Sequence, residues 1–296
     1  MFSGLSAFPL TPLNEARIDE AAFVRLIERL ANVGVDSIGA LGSTGSYAYL
    51  TRTERLRIAQ LAVRHAGNVP VIVGIGALGM RDVLDLAQDA QKAGARGVLL
   101  APVSYQKLTD DEVFGLYEAV THSLSVPLCV YDNPTTTHFE FSDDLHGRIS
   151  QLPNVASIKI PGVPATPQAA RARVERLRAL IPAHVTIGVS GDAVAAVGLN
   201  AGCEAWYSVI AGLFPQIALA IIRAAEKGNA QESAWFSERL APLWALFIEY
   251  GSLRVTATAA EIRGLVASPC LPLPVRSLEG EVRQRLGTIL DELCIT

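Results

Sequence analysis

The chain has 296 residues, of which 50% are hydrophobic and 18% charged, and 25 basic against 29 acidic residues give a formal net charge of −4. This composition excludes a disordered chain, and a mildly acidic sequence without basic tracts excludes nucleic acid as an expected partner. No apolar run approaches the roughly 20 residues needed to cross a bilayer, and the N-terminal residues carry no signal-peptide pattern.

Short β-type runs recur along the chain, and the first six begin 27–33 residues apart, which is the size of one βα unit. We predict strands at 5–9, 37–41, 70–74, 97–101, 127–131, 156–160, 185–189 and 205–209. Helical patterns lie between them, with Asp19 as a predicted N-cap and Thr51 with Glu54 as a predicted capping box. Eight strands alternating with helices predict an α/β fold, a closed (β/α)8 TIM barrel rather than an open doubly wound sheet.

The β signal stops near Lys227, and the remaining residues show helical patterns interrupted by a proline-rich segment at 268–274. No Gly/Ser-rich linker separates the two parts of the chain. We therefore expect a barrel domain at 1–226 and a C-terminal helical extension at 227–296 that packs against it.

Lys159 is one of only four lysines among the 25 basic residues, and it lies inside the apolar sequence VASIKIPG. Both faces of a barrel strand are normally buried, so an ammonium there costs free energy unless it pairs with an acid or releases its proton. An uncharged buried lysine is the nucleophile that forms a Schiff base with a carbonyl substrate. The alternative is a strand-end lysine that reaches solvent or pairs with an acid.

Two further features follow predicted strands, where a TIM barrel places its reacting groups. The loop at 42–46, Gly-Ser-Thr-Gly-Ser, resembles an anion cradle, in which Ser43 and Thr44 add hydroxyl donors to the backbone N–H groups. It could equally be an ordinary glycine-rich turn. Tyr131 could transfer protons if its hydroxyl faces the barrel mouth, or could simply plug the strand end.

Other site types are not supported by the sequence. Residues 74–79 match the dinucleotide pattern GxGxxG, but the acid that should follow about 20 residues later is missing. The histidines are scattered and suggest no metal site. The four cysteines are dispersed and favour free thiols in a reducing cytoplasm, so we expect a cytoplasmic protein. They are Cys129, Cys203, Cys270 and Cys294.

Taken together, these motifs resemble the dihydrodipicolinate synthase and N-acetylneuraminate lyase family of class I aldolases. The resemblance covers nearly the whole chain, in order. The loop at 42–45 is similar to the family's Gly-Thr/Ser-Thr-Gly, the segment at 131–134 to its Tyr-Asn-x-Pro, and Ser157-Ile158-Lys159 to its Gly/Ser-Ile/Val-Lys.

The resemblance implies that Lys159 forms a Schiff base with pyruvate or another 2-keto acid and that Tyr131 transfers protons. It implies that Ser43 and Thr44 hold the substrate carboxylate and that no metal or organic cofactor is needed. It also implies a homo-oligomer, a tetramer or a dimer. Tyr105 and Tyr207 are further candidates for substrate binding.

This chain departs from the synthase pattern in the region of the second substrate. Pro-Val-Ser-Tyr at 102–105 stands where Pro-Tyr-Tyr is usual, so the tyrosine that reaches a neighbouring subunit is lost or displaced to Tyr105. No arginine follows the 131–134 segment. We therefore expect a lyase or aldolase that acts on another 2-keto acid, sugar-derived or aromatic, and that has a different second substrate. The alternatives are a 2-keto-sugar-acid dehydratase using the same lysine and a non-catalytic keto-acid-binding protein.

Overall fold

Eight parallel strands close into a barrel in the computed structural model of the protein, which describes residues 1–14 and 17–295. Neighbours along the chain pair with each other, and the first strand closes the ring by pairing with the eighth. This architecture confirms the predicted TIM barrel, and every strand lies within two residues of its predicted bounds. The strands are β1 Gly4–Ala7, β2 Ser37–Ala40, β3 Val71–Gly74, β4 Gly97–Leu100, β5 Leu128–Tyr131, β6 Val155–Ile160, β7 Thr186–Val189 and β8 Ala205–Ser208.

Helices surround the barrel and connect its strands. Asp19 caps the first helix by accepting a hydrogen bond from the Ala22 N–H, and Thr51 and Glu54 form the predicted capping box of the second. The helices of the barrel are α1 Glu20–Val33, α2 Arg52–His65, α3 Met80–Lys92, α4 Asp110–His122, α5 Asp143–Ser150, α6 Pro167–Arg178, α7 Ala195–Asn200 and α8 Pro215–Glu226. No helix within the described ranges is long and apolar enough to cross a membrane.

Successive side chains of a strand point to opposite faces, so each strand contributes to two separate cores. On β6, Ile158 and Ile160 pack into the large core between strands and helices, whereas Ser157 and Lys159 face the barrel interior. The interior core is small and rich in aromatic rings. Its buried apolar residues are Phe2, Phe8, Ile72, Leu99, Ala101, Cys129, Tyr131, Ala205 and Tyr207.

Four more helices follow the barrel: α9 Ala230–Arg239, α10 Ala241–Tyr250, α11 Ser252–Ile262 and α12 Gly280–Glu292. Glu261 at the end of α11 accepts hydrogen bonds from the Cys270 N–H, the Ser277 hydroxyl and the Arg283 guanidinium. These bonds fix the segment between α11 and α12. The carbonyl of Cys270 in turn accepts the N–H of Leu13, so the segment is joined to the loop that follows β1.

Asp192, in the loop after β7, connects the ends of the last two strands. Its fully enclosed carboxylate accepts hydrogen bonds from the indole of Trp206 at 3.0 Å and from the N–H groups of Val209 and Ile210 at 3.2 and 2.7 Å. Trp206 and Val209 share Oδ1, and Ile210 donates to Oδ2. An asparagine amide has only one oxygen, so in either orientation its NH2 group would face a backbone N–H.

We expect Asp192→Asn to lower the free energy of unfolding by about 2–3 kcal/mol, since one buried donor loses its acceptor. Urea denaturation followed by circular dichroism measures this change. Asp291→Asn is the matched control, because that side chain is 72% exposed and, among the described residues, forms an ion pair with Arg263 alone. The control should change stability by less than about 1 kcal/mol. Equal effects of the two substitutions would contradict the structural role of Asp192.

Candidate active site

Lys159 and Tyr131 lie side by side at the carboxyl end of the barrel. They are direct register partners on β6 and β5, so the two side chains enter the interior at the same height. Lys159 is only 5% exposed. No ion pair among residues 1–14 and 17–295 involves its ammonium group. The side chain of Lys159 therefore does not reach solvent, and it forms no buried salt bridge in the described part of the chain.

Aromatic rings surround the amino group of Lys159 instead. Its Nζ lies 3.9 Å from the ring centroid of Tyr131, 4.3 Å from that of Phe8 and 5.8 Å from that of Tyr207. Ring faces attract a cation, most strongly where water is excluded. These rings can therefore stabilise a positive charge at this nitrogen.

Glycines in the neighbouring strands and loops make room for these rings. A Cβ atom at Gly39 or Gly42 would lie 2.4 or 2.5 Å from the ring of Phe8, and one at Gly188 would lie 2.2 Å from the ring of Tyr207. Contacts this short are impossible, so only glycine permits the rings to approach. Sequence analysis singled out neither Phe8 nor its two glycine neighbours as part of the surroundings of Lys159.

The hydroxyl of Tyr131 has a partner on each of two sides. The Ser43 hydroxyl lies 3.2 Å away, and the side-chain amide of Asn133 donates to it at 2.7 Å. Ser43 begins a short 3-10 turn, Ser43–Gly45, in which Thr44 is buried. The structure thus brings together Lys159, Tyr131 and the hydroxyl-rich loop. Sequence reasoning missed Asn133, although it lies inside the recognised 131–134 segment.

The other two predicted tyrosines lie elsewhere. Tyr207 is 1% exposed, and its hydroxyl contacts the Ser157 hydroxyl at 2.6 Å and the Cys129 thiol at 3.4 Å. Burial raises the pKa of Tyr207 well above its ordinary value and that of Cys129 to about 11. The Tyr207 hydroxyl is therefore enclosed within the barrel rather than presented at the mouth. Tyr105 is 90% exposed in the loop after β4 and contacts neither Lys159 nor Tyr131 in its own chain.

Tyr47 is a second phenol near Tyr131 that sequence analysis did not identify. Its ring stacks at 5.1 Å from the guanidinium of Arg55, which donates to the carbonyls of Gly74 and Gly76 at 2.9 Å. Burial, and to a lesser degree the nearby Tyr131, raise the pKa of Tyr47 to about 12. Tyr47 therefore stays a neutral phenol at neutral pH.

Asp132 and His146 form a buried pair behind the end of β5. Oδ2 of Asp132 lies 3.4 Å from Nε2 of His146, and both side chains are almost completely enclosed. Burial raises the pKa of Asp132 to about 7, an effect that Arg173 opposes and that Glu140 and Asp143 reinforce. Burial lowers the pKa of His146 to about 4. The folded pair therefore holds its one proton on the carboxyl group near pH 5, whereas the unfolded chain holds it on the imidazole.

The two opposite pKa shifts have opposite effects on how stability depends on pH, and these effects cancel in the wild-type protein. Removing one side chain should therefore reveal the pH dependence that the other one causes. In Asp132→Asn only His146 remains, and the unfolded chain then binds more protons below pH 6.5 than the folded one. We expect the free energy of unfolding to fall as pH drops from about 6.5 to 4, by at most about 1.4 kcal/mol per pH unit.

His146→Phe should show the opposite trend, since Asp132 then keeps a proton that the unfolded chain releases above pH 3.8. Its stability relative to wild type should fall as pH rises toward 7. Urea denaturation at several pH values checks both variants. Two curves that run parallel to the wild-type curve would show that the pair does not titrate as described.

The fold and this arrangement of side chains define a class of protein: a TIM barrel whose candidate reacting groups lie at the carboxyl ends of its strands, where enzymes of this fold place their active sites. Within the described residues, no three His, Cys, Asp or Glu side chains are grouped so as to hold a metal ion.

Comparison with known proteins identifies the family. A model of the dihydrodipicolinate synthetase family matches residues 1–293. The 4-hydroxy-tetrahydrodipicolinate synthase of Phenylobacterium zucineum is 32% identical over 252 residues, which cover 84% of this chain and 83% of that protein. The crystal structure of dihydrodipicolinate synthase from Agrobacterium tumefaciens gives a TM-score of 0.94 at 45% identity and covers 99% of this chain and 98% of that chain. The chain belongs to the dihydrodipicolinate synthetase family, and it is a lyase.

Proposed function

We propose that this enzyme is a Schiff-base aldolase that makes or cleaves a carbon–carbon bond between a 2-keto acid such as pyruvate and an aldehyde. The observation that carries the proposal is the buried Lys159, which has no carboxylate partner among the described residues and lies 3.9 Å from the ring of Tyr131. Ser43 and Thr44 would hold the keto-acid carboxylate beside them. The barrel at 1–226 would carry the chemistry without a metal or organic cofactor, and 227–296 would support it.

The chemistry follows from the positions of these groups. The uncharged amine of Lys159 attacks the keto carbon and forms a carbinolamine, and the carboxylate contacts of Ser43 and Thr44 orient the carbonyl toward it. Tyr131 gives a proton to the departing hydroxyl, water leaves, and the iminium that remains is an electron sink for the adjacent carbon. The surrounding ring faces stabilise this cation.

The composition of the loops around the barrel mouth favours a second substrate that carries no negative charge. The loops after β2, β3, β5, β6, β7 and β8 contain no Arg or Lys. Lys107 follows β4 and Arg17 follows β1, and both are exposed. An aldehyde with its own carboxylate would find no cation in those six loops, so we propose that the second substrate is an uncharged aldehyde, sugar-derived or aromatic.

Borohydride reduction in the presence of pyruvate, followed by intact and peptide mass analysis, tests the Schiff base. We expect one pyruvate-derived adduct on Lys159, and its absence would refute the proposed function. Incubation with keto-deoxy sugar acids then separates the reactions: pyruvate plus an aldehyde supports the aldolase, whereas a dioxo acid identifies a dehydratase. An adduct without turnover of any substrate identifies a binding protein.

A panel of aldehydes tests the second substrate. With pyruvate as the partner, we expect kcat/KM for butanal, glyceraldehyde or benzaldehyde to exceed that for succinic semialdehyde by at least about 10-fold, because the carboxylate must lose its hydration without gaining a cationic partner. Butanal and succinic semialdehyde have equal chain lengths, which isolates the charge. A preference for the carboxylated aldehyde would refute this part of the proposal.

We also propose a homo-oligomer, a dimer or tetramer, in the cytoplasm. Large apolar side chains are exposed after three neighbouring strands: Tyr49 after β2, Leu78 and Met80 after β3, and Tyr105 after β4. A second copy of the chain could cover them. Three free cysteines are buried, which suits a reducing compartment. Sedimentation analysis at micromolar concentration tests the oligomer, and a monomer would refute it.

A further inference from the structure

The side chain of Asn133 contacts the one hydroxyl on which proton transfer in the proposed reaction depends. Its Nδ2 lies 2.7 Å from the Tyr131 oxygen, a shorter distance than the 3.2 Å to the Ser43 hydroxyl. A phenol has a single O–H to donate and two lone pairs to accept with. Once the Asn133 amide donates to this oxygen, the Tyr131 proton must point in another direction.

The main chain holds Asn133 firmly in place. Its carbonyl accepts the N–H groups of Thr136 and Thr137 at 3.0 Å and the Thr137 hydroxyl at 2.9 Å, in a one-turn helix at Pro134–Thr137. On the other side, the N–H of Asp132 donates to the Lys159 carbonyl at 3.0 Å. The amide is therefore fixed relative to both Tyr131 and the strand that carries Lys159.

We propose that Asn133 is a positioning residue for Tyr131, an assignment that rests on the proposed Schiff-base function. Its N–H donates permanently to the phenol oxygen and so directs the phenol proton toward Ser43 and the bound substrate. The same N–H stabilises the phenolate that remains after the proton has been given away. The short 134–137 helix, with its three consecutive threonines, keeps this donor in position.

The proton balance of the two steps explains why such a donor is useful. In the first, Tyr131 protonates the carbinolamine hydroxyl, the carbon–oxygen bond breaks, water leaves, and the Lys159 nitrogen forms the C=N bond. In the second, the Tyr131 phenolate removes a proton from the carbon next to the iminium, which gives the enamine and restores the phenol. The phenolate exists between these steps, and Asn133 offers it a charge-assisted hydrogen bond without any reorganisation.

Two substitutions of nearly equal size test the direction of this hydrogen bond. Asn133→Leu removes the donor. Asn133→Asp replaces it with an acceptor, which draws the Tyr131 proton away from the substrate and opposes the phenolate. We expect kcat to fall by about 10-fold in the first and by at least about 100-fold in the second, with KM for pyruvate within about 3-fold of wild type because Ser43 and Thr44 are untouched. Asn68→Asp, in an exposed turn at the opposite end of the barrel, is the matched control and should keep wild-type activity.

Borohydride trapping of each variant separates this proposal from the one on which it depends. Both variants should still reach a full pyruvate adduct on Lys159, but more slowly, which also shows that the site is folded. If Asn133→Asp turns over as fast as wild type, or if KM rises while kcat is preserved, Asn133 is not the donor described. If the wild-type enzyme gives no adduct, the Schiff-base function itself is refuted.

Discussion

Lys159→Met should abolish turnover, with kcat/KM reduced by at least roughly 10³-fold, as expected when a covalent nucleophile is removed. Methionine has a similar length and keeps the apolar contacts with Phe8 and Tyr131, so the barrel should stay folded. The variant removes a buried amino group that no ion pair in the described residues balances. We therefore expect its melting temperature to equal or exceed that of wild type.

Steady-state assays with pyruvate and the best aldehyde of the panel measure the loss. Borohydride treatment with pyruvate should leave the mass of Lys159→Met unchanged. Lys107→Met is the matched control, because Lys107 is exposed in the loop after β4, and it should retain both adduct and activity. Turnover by Lys159→Met within 10-fold of wild type would exclude the lysine as the nucleophile.

Tyr131→Phe is expected to reduce kcat by about 10²–10⁴-fold, the contribution usual for a positioned acid–base group. The phenyl ring keeps its place over Lys159, but the contacts to Ser43 and Asn133 are lost. Pyruvate binding should change little, because the carboxylate contacts belong to the turn at Ser43–Gly45. A slow approach to a complete borohydride adduct would show that binding survives while proton transfer fails.

Tyr117→Phe provides the comparison for this substitution. The hydroxyl of Tyr117 is also buried and donates to the Leu100 carbonyl at 2.6 Å, but its ring belongs to the core between strands and helices. Its removal should lower stability without lowering kcat. If both variants reduced kcat to the same extent, the loss in Tyr131→Phe would reflect folding rather than chemistry.

The sequence was sufficient to predict the barrel and the closeness of Lys159 to Tyr131. Strand length and spacing are local properties, and parallel strands in a barrel bring their carboxyl ends to one edge. Two residues predicted to end consecutive strands therefore become neighbours without further information. The same reasoning placed Ser43 beside them, because the turn at 42–46 follows a strand that opens on the same edge.

Side-chain direction and depth could not be predicted in the same way. Tyr207 lies only one residue before the end of β8, but its ring is buried inside the barrel over Gly188. The depth of this ring therefore depends on a residue 19 positions away in the chain. Asn133 contacts the Tyr131 hydroxyl from the start of a helical turn that the next four residues form, and this local geometry was not predicted. Tyr105, offered as a displaced counterpart of the family's tyrosine, is 90% exposed and lies away from the site in its own chain, which its position in the sequence did not predict.

The hydrogen bond from the Leu13 N–H to the Cys270 carbonyl joins the C-terminal helices to the loop that begins at Phe8, whose ring lies 4.3 Å from the Lys159 amino group. The loop that begins at Phe8 is held from both ends, by β1 and by a segment that the Glu261 carboxylate fixes in place. A chain shortened to its eight strands would keep every predicted reacting group, but it would lose one of the two supports of the ring above Lys159.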